Sequence, residues 1–504
     1  MNRTFLGAAT AIGLCLAATG AMAGKADDTL KVELSGEVDT LNYYYNSSRE
    51  GLVASLQIFD TLVVKDLSTG EFKPNLATEW TWIDDKTLEF QLASGITFHN
   101  GEAFTADDVV FTLNWAVDPA SEIVVFDKVR WIESAEKVDD TTVRVKLKAP
   151  FPAALDFFAL AIPIFPDQYY AEAGRDGMGV QPIGTGPYKV TAVEPGKSYT
   201  LEAFADYAGL GKPKAAIGKV EVATVSDSST RIADLMSGRA EFLWQVAADV
   251  MPRLAESDET ETASVSTMRI GFVTLDAAGR SNADTPLKNK LVRQAINHAI
   301  DRQAIVDALV QGGSELVNTP CSPIQFGCIT DVTAYDYDPA KSKELLAEAG
   351  YPDGFALTMT GYRDKAYAEA MQQFLAEVGI QITYDQLQYS ALASAHMDGK
   401  VPMAFLTHGS SSIPDMSAIT TEFFGGGAQD YARDQEVIDW VMAGNTSIDT
   451  AVRQENYTKA LKKIADEAYW VPLFTYPLGF AYTADLSFTA TPDELLRFYE
   501  MSWK

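Results

Sequence analysis

Four histidines, three cysteines and 69 carboxylates are foremost among the side chains of this 504-residue chain that could act as bases, nucleophiles or metal ligands. Their spacing argues against all three roles. His99, His298, His396 and His408 are scattered with no pair at i, i+4, so no shared metal site is expected. His298 falls in a helical stretch and reads as a packed histidine. There is no G-x-S-x-G, H-E-x-x-H or Walker phosphate loop. Adjacent Asp107 and Asp108 match the charge preference of a helix N-terminus better than acid–base work. Gly184-Thr185-Gly186-Pro187-Tyr188 resembles a nucleotide loop only superficially, since it lacks a third glycine and Pro187 has no N–H to offer a phosphate. It reads as a tight backbone turn. No catalytic residue, cofactor or metal is expected.

Cys321 and Cys328 must be read with the N-terminus. Arg3 followed by the apolar run Phe5 to Leu16 and the small-x-small Ala21-Met22-Ala23 is the pattern of a cleaved export signal over residues 1–23. The run is broken by Thr10, Gly13 and Thr19, too short to span a bilayer. Export places Cys321 and Cys328 in an oxidising compartment, where so close a pair is expected to form a disulfide. Closing this loop stabilises by roughly 2.5 kcal/mol in the chain-entropy model, enough to pin a loop but not the fold. Losing Arg3 leaves 39 basic against 69 acidic residues, a net charge of -30. That surface repels nucleic acid and anionic lipid.

The elements that must position any site divide into two textures. Thr29 to Leu34, Thr87 to Leu92 and Thr142 to Leu147 alternate like half-buried strands, and Thr105 with Asp108 forms a capping-box start for a helix. Beyond Pro286 the pattern turns to helix-then-strand. Leu287, Leu291, Ala295 and Ala299 line one helix face running to Gly312-Gly313. Asp338-Pro339 starts a helix to Ala349, another covers Lys365 to Val378, and a strand follows at Ile380 to Tyr384. A last helix, about Ala451 to Ala468, leads into a strand at Val471 to Tyr476. A mature chain of this length needs two or more lobes, and the class is α/β.

Four segments, in order, carry a resemblance: Pro74 to Asn114 (PNLATEWTWIDDKTLEFQLASGITFHNGEAFTADDVVFTLN), Gly184 to Val190 (GTGPYKV), Val292 to Val306 (VRQAINHAIDRQAIV) and Tyr337 to Phe355 (YDPAKSKELLAEAGYPDGF). Together they resemble the extracytoplasmic solute-binding proteins of ABC importers, family 5, the dipeptide, oligopeptide and nickel-binding type. The resemblance implies a bilobal type II clamshell with an extra subdomain in the first lobe. Lobe I would take 24–272 plus 475–504 and lobe II 273–474, with crossing strands near Ile270-Thr274 and Leu473-Tyr476 as hinge. It further implies a periplasmic monomer that closes on a small peptide or peptide-like solute, such as an opine or amino-acid conjugate. The complex would dock on an inner-membrane permease and perform no chemistry itself.

The same resemblance nominates ligand-binding residues. Arg363, after Tyr362, stands where a dipeptide binder grips the ligand carboxylate, and a planar guanidinium fork suits that task. Asp415 is the candidate partner for an ammonium, or else a helix cap. The segment around it lacks the tryptophan of peptide binders and presents His408, Ser410, Ser411 and Ser412, groups suited to a hydroxylated ligand. On the first lobe Tyr45, Asn46 and Ser47 would line the cleft, with Tyr44 turned inward by strand alternation. Trp244 and Gln245 occupy another cleft-adjacent position. The alternative ligand is an oligosaccharide or sugar conjugate. An exported enzyme or a chaperone-like protein is the rival from another class.

Overall fold

A computed structural model describes residues 24–504, so the expected export signal lies outside the described residues. One ten-stranded sheet runs through the molecule. At one end Tyr188–Glu194, Ser198–Ala203, Lys219–Thr224, Thr29–Leu34 and Phe242–Trp244 lie side by side. Two long strands, Trp470–Thr483 and Thr260–Leu275, continue it, and Met403–His408, Phe355–Gly361 and Ile380–Gln386 complete the other end. The long strands pair antiparallel from Thr260↔Thr483 to Thr274↔Trp470, and their register slips between Ser266 and Ile270. Around that slip Thr267 donates to the Tyr476 carbonyl (2.7 Å) and the Met268 amide donates to the Pro492 carbonyl (2.9 Å).

The hydrophobic cores divide at the same place. The first is built from residues between Leu30 and Trp244, together with the tail from Leu478 to Met501. It covers one face of the large sheet and of a separate four-stranded antiparallel sheet (Ala77–Asp84, Thr87–Leu92, Thr142–Leu147, Ile132–Asp139). The capping box starts helix Ala106–Val117 as expected, with the Thr105 amide donating to Asp108 (2.8 Å). The second lobe has two cores, one on each face of its sheet. Ile270 and Phe272 feed one, and Val273 and Leu275 feed the other. Phe272 and Trp470 stack across neighbouring strands with centroids 3.8 Å apart. The chain is a bilobal α/β fold.

Two expectations need correction. The helix expected to run to Gly312 stops at Ala299, because the Asp301 side chain caps a new helix at Arg302–Ile305 by accepting from the Ala304 amide (2.9 Å). Tyr43–Tyr45 is a 3-10 turn, so the tyrosines do not alternate as in a strand. The Gly184–Gly186 turn is tight for a different reason than glycine's left-handed freedom. A Cβ on Gly184 would lie 2.1 Å from the Ile58 carbonyl oxygen, and one on Gly186 2.5 Å from the Ile58 carbonyl carbon. Only glycine lets this turn press on the end of helix Arg49–Ile58. His99 clamps the turn: its Nε2 donates to the Gly186 carbonyl (2.9 Å) and its Nδ1 accepts from the Gly184 amide (3.3 Å).

Candidate functional site

Where the lobes meet, residues from both enclose two cavities. The first, of about 560 Å³, is lined on the first lobe by Tyr43, Asn46, Arg49 and Lys128 among others, and on the second by Tyr389, Ser411 and Ser412. The second, of about 500 Å³, lies between Lys65, Phe72, Trp82 and Asp156 on the first lobe and Phe326, Asp415 and Arg453 on the second. Both volumes fall in the range of small-molecule sites.

The first-lobe wall of the larger cavity is set by the start of helix Arg49–Ile58. Ser48 caps it, its hydroxyl accepting from the Gly51 amide (2.9 Å). Asn46 organises the approach, with Oδ1 accepting from the Ser48 amide (2.9 Å) and Nδ2 donating to the Thr40 carbonyl (3.0 Å). Arg49 therefore sits at a helix N-terminus, where the dipole disfavours a cation. The tail compensates, since Glu494 pairs with Arg49 (2.8 Å) and with Arg269 (3.0 Å). Burial lowers the Arg49 pKa, and Glu494 opposes that shift.

The second-lobe wall is the serine segment. Ser410, Ser411 and Ser412 all adopt left-handed φ angles of 49°, 53° and 62°. Such a conformation costs roughly 1–2 kcal/mol for each L-residue and persists only where the surroundings fix it. Here the Ser410 amide donates to His408 Nδ1 (3.1 Å) and the Ile413 amide to the Ser410 carbonyl (2.9 Å). Ser412 spans the lobes, donating to the Asp493 carbonyl (2.8 Å) and accepting from Arg49 (2.9 Å).

Around the smaller cavity the charges pair within each lobe. Lys65 meets Asp156 at 2.5 Å, and Arg453 meets Asp415 at 2.7 Å. Burial raises the Asp156 pKa against the pull of Lys65. Burial works against the Arg453 charge too, but Asp415 and Tyr457 outweigh it and raise the pKa. The Cys321–Cys328 disulfide forms as expected. It closes a loop whose Phe326 amide donates to the Pro414 carbonyl (3.0 Å), while Gln325 donates to the Ile413 carbonyl (3.2 Å). The bridge therefore fixes both Phe326 and the strand-like segment that presents Asp415.

Of the nominated residues, Asn46, Ser47, Ser411 and Ser412 line the larger cavity and Asp415 the smaller. Asp415 is 1% exposed, and its second oxygen accepts from the Ser417 amide (2.9 Å) just ahead of helix Ser417–Phe424, whose N-cap position is Met416. Tyr45 turns away, donating to the Ser121 carbonyl beneath the Arg175 guanidinium (4.0 Å from its ring). Trp244 is wholly buried in the first core, and Gln245 accepts from Ser35 (2.9 Å). Arg363 pairs with Asp364 (2.7 Å) over the Tyr476 ring, and Tyr362 shares a hydrogen bond with Thr407 (2.8 Å). His408 meets Glu422 at 3.2 Å. Burial opposes the Glu422 charge, but His408 and Gln429 overcome it and lower the pKa. Ser410 is buried with its hydroxyl unpartnered. Arg49, Lys128, Tyr389, Lys65, Phe326 and Arg453 were not nominated from sequence. Only Arg49 carried a signal, a cation directly after a Ser-capped helix start.

Among the described residues no cluster of His, Cys, Asp or Glu is arranged to hold a metal ion, and no helix is long and apolar enough to cross a membrane. Two lobes joined by crossing strands, with cavities walled from both sides, define a two-lobed binding protein. The chain belongs to the bacterial extracellular solute-binding proteins, family 5, whose model matches residues 71–431. It is 29% identical over 435 residues to the glutathione-binding protein GsiB of Pectobacterium atrosepticum, covering 82% of each chain. It superposes on HbpA2 of Haemophilus parasuis with a TM-score of 0.83 at 22% identity, covering 94% of this chain and 100% of that one. The binding protein AgaA of A. tumefaciens R10, solved with agropinic acid, matches at 25% identity with a TM-score of 0.72, covering 91% of this chain and 94% of that one.

Proposed function

We propose that this chain captures a small peptide or peptide-like solute between its lobes in the periplasm and delivers it, as a monomer without chemical change, to an ABC permease of the inner membrane. The observation that carries this reading is the pair of cavities walled by both lobes, in a chain of the family to which the glutathione-binding relatives belong. Only a closed form lets a ligand touch both walls, so binding favours closure. We place the hinge at the register slip between Ser266 and Ile270, close to the expected crossing. The lobe boundaries at 272 and 475 and the export signal over residues 1–23 belong to the same proposal. Asn46, Ser47 and Asp415 are ligand-side candidates. Arg363 would have to leave Asp364 to grip a carboxylate.

A second reading, a sugar conjugate, is favoured by the hydroxyl and amide groups of Asn46, Ser47, Ser48, Ser411 and Ser412 around the larger cavity. A thermal-shift screen against peptides, opines, amino acids and oligosaccharides separates the two. A ligand at ~100-fold excess over Kd stabilises by about 2.7 kcal/mol. Shifts with peptides or opines are expected. Shifts with plain oligosaccharides alone would replace the first reading by the second, and sustained turnover of a bound compound would overturn both.

A further inference from the structure

The two cavities differ in how their charges are answered. Around the smaller one Lys65 pairs with Asp156 and stacks on Phe72 (4.8 Å), while Arg453 pairs with Asp415 and stacks on Phe326 (4.6 Å). Its charges are neutralised by the protein. In the larger cavity Arg49 is answered by Glu494, and Asp127 is drawn to Arg130 (3.3 Å) at the rim. Lys128 is the exception. The residue is half-buried and lines the cavity, yet among the described residues no carboxylate lies within 4 Å of its Nζ and no acceptor hydrogen-bonds it. Burial lowers its pKa and Arg49 adds to the effect, with Asp127 and Glu422 acting the other way. A desolvated ammonium in that position gains most from an anion brought close to it. The groups around it (Ser47, Ser48, Asn46, Ser411 and the exposed ring of Tyr389) supply further hydrogen bonds and a stacking surface.

We propose that Lys128 is a specificity-determining residue that binds a carboxylate of the ligand from the first lobe, so that the solute taken up is an anionic peptide-like compound. The assignment rests on the larger cavity being the solute site and adds the ligand's charge. It also moves the carboxylate contact from Arg363, whose guanidinium is already held by Asp364 and Tyr476, to the opposite wall.

Isothermal titration calorimetry of the purified protein with glutathione, Ala-Glu, glutathione diethyl ester and Ala-Gln amide tests it. The wild type is expected to bind the carboxylate-bearing compounds roughly 10- to 100-fold more tightly than their carboxylate-free counterparts, which keep the ammonium and are cations, at least the worth of one charge-assisted hydrogen bond. Lys128→Met should abolish most of that preference by weakening the carboxylate-bearing compounds and not the carboxylate-free ones, and a wild-type urea midpoint shows that the variant is folded. Lys128→Arg should keep most of it. Equal loss for acidic and carboxylate-free compounds, or an undiminished preference in Lys128→Met, overturns the assignment. A wild type that binds only the carboxylate-free compounds overturns it too but leaves the peptide reading standing. A wild type that binds none of the four overturns both.

Discussion

Replacing Asp415 by asparagine separates two roles that the sequence left open, ammonium partner and structural cap. In the structure one oxygen accepts from the Ser417 amide (2.9 Å) and the other from Arg453 (2.7 Å). The two side chains are 1% and 8% exposed. Asparagine keeps an acceptor for the Ser417 amide, so that bond survives and the change isolates the charge. Removing one partner of a buried pair costs roughly 3–5 kcal/mol, because the remaining ion stays desolvated and uncompensated. Arg453 keeps its bonds to the Gly444 carbonyl (3.0 Å) and the Tyr457 hydroxyl (3.0 Å), which argues for the lower end, about 3 kcal/mol. Urea unfolding of Asp415→Asn, Arg453→Met and the double variant measures it. The double variant should be less destabilised than the two singles summed, by more than about 1.5 kcal/mol, since removing both charges leaves no orphan. A wild-type urea midpoint in Asp415→Asn combined with lost ligand affinity would refute the reasoning and return Asp415 to the ligand.

His396 is wholly buried and stacked on Tyr431 (4.3 Å), and burial pushes its pKa from 6.5 down to about 4. The imidazole is therefore neutral when folded but charged when unfolded below pH 6.5, so stability present above 6.5 is lost as the pH falls toward 4. At 1.36 kcal/mol per pH unit the full loss is roughly 3 kcal/mol. Urea midpoints between pH 7.5 and 4.5 should fall less steeply for His396→Phe, and parallel curves would contradict the claim. Gly186→Ala places a Cβ 2.5–2.7 Å from three backbone atoms of Gln57 and Ile58, which cannot rotate away. A loss of about 2–3 kcal/mol is expected, against under about 0.5 for exposed Gly427→Ala. Equal melting temperatures for the two variants would show that the turn yields.

What could be read from sequence was what local chemistry specifies. Thr87–Leu92 and Thr142–Leu147 appear with the expected bounds because their burial alternates along most of each strand, whereas Thr29–Leu34 shows the alternation only in residue type, every residue but Lys31 being buried. The helix at Asp338-Pro339 begins where a side-chain cap and an N1 proline coincide. Strand Thr260–Leu275 was legible only in part, since Gly271 to Leu275 are all buried and leave no alternation to detect. Tyr43–Tyr45 was misjudged because an aromatic run reads as a strand by propensity, while the 3-10 turn follows from burial of Tyr43 and Tyr44 against the first core. The cleft was least legible. Asp415 is tied to Arg453, Arg49 to Glu494 and Ser412 to Asp493, partners far apart in sequence with no spacing rule between them.

The serine segment and the two cations opposite it divide the work of closure. Ser412 joins the lobes by hydrogen bonds to Arg49 and the Asp493 carbonyl, which contribute about 2 and about 1 kcal/mol net because water can replace each when the lobes part. That is too little to hold the lobes together against their conformational freedom, so these bonds align the walls rather than lock them. Arg49 cannot add much more, since Glu494 on its own lobe already answers its charge. Lys128 has no such answer, and an anion that meets it while touching Tyr389 or Ser411 gains contacts available only when both walls are near. The ligand shifts the equilibrium by that difference in affinity between the two forms. Leaving one cation unanswered in an otherwise neutralised cleft thus makes closure depend on the ligand.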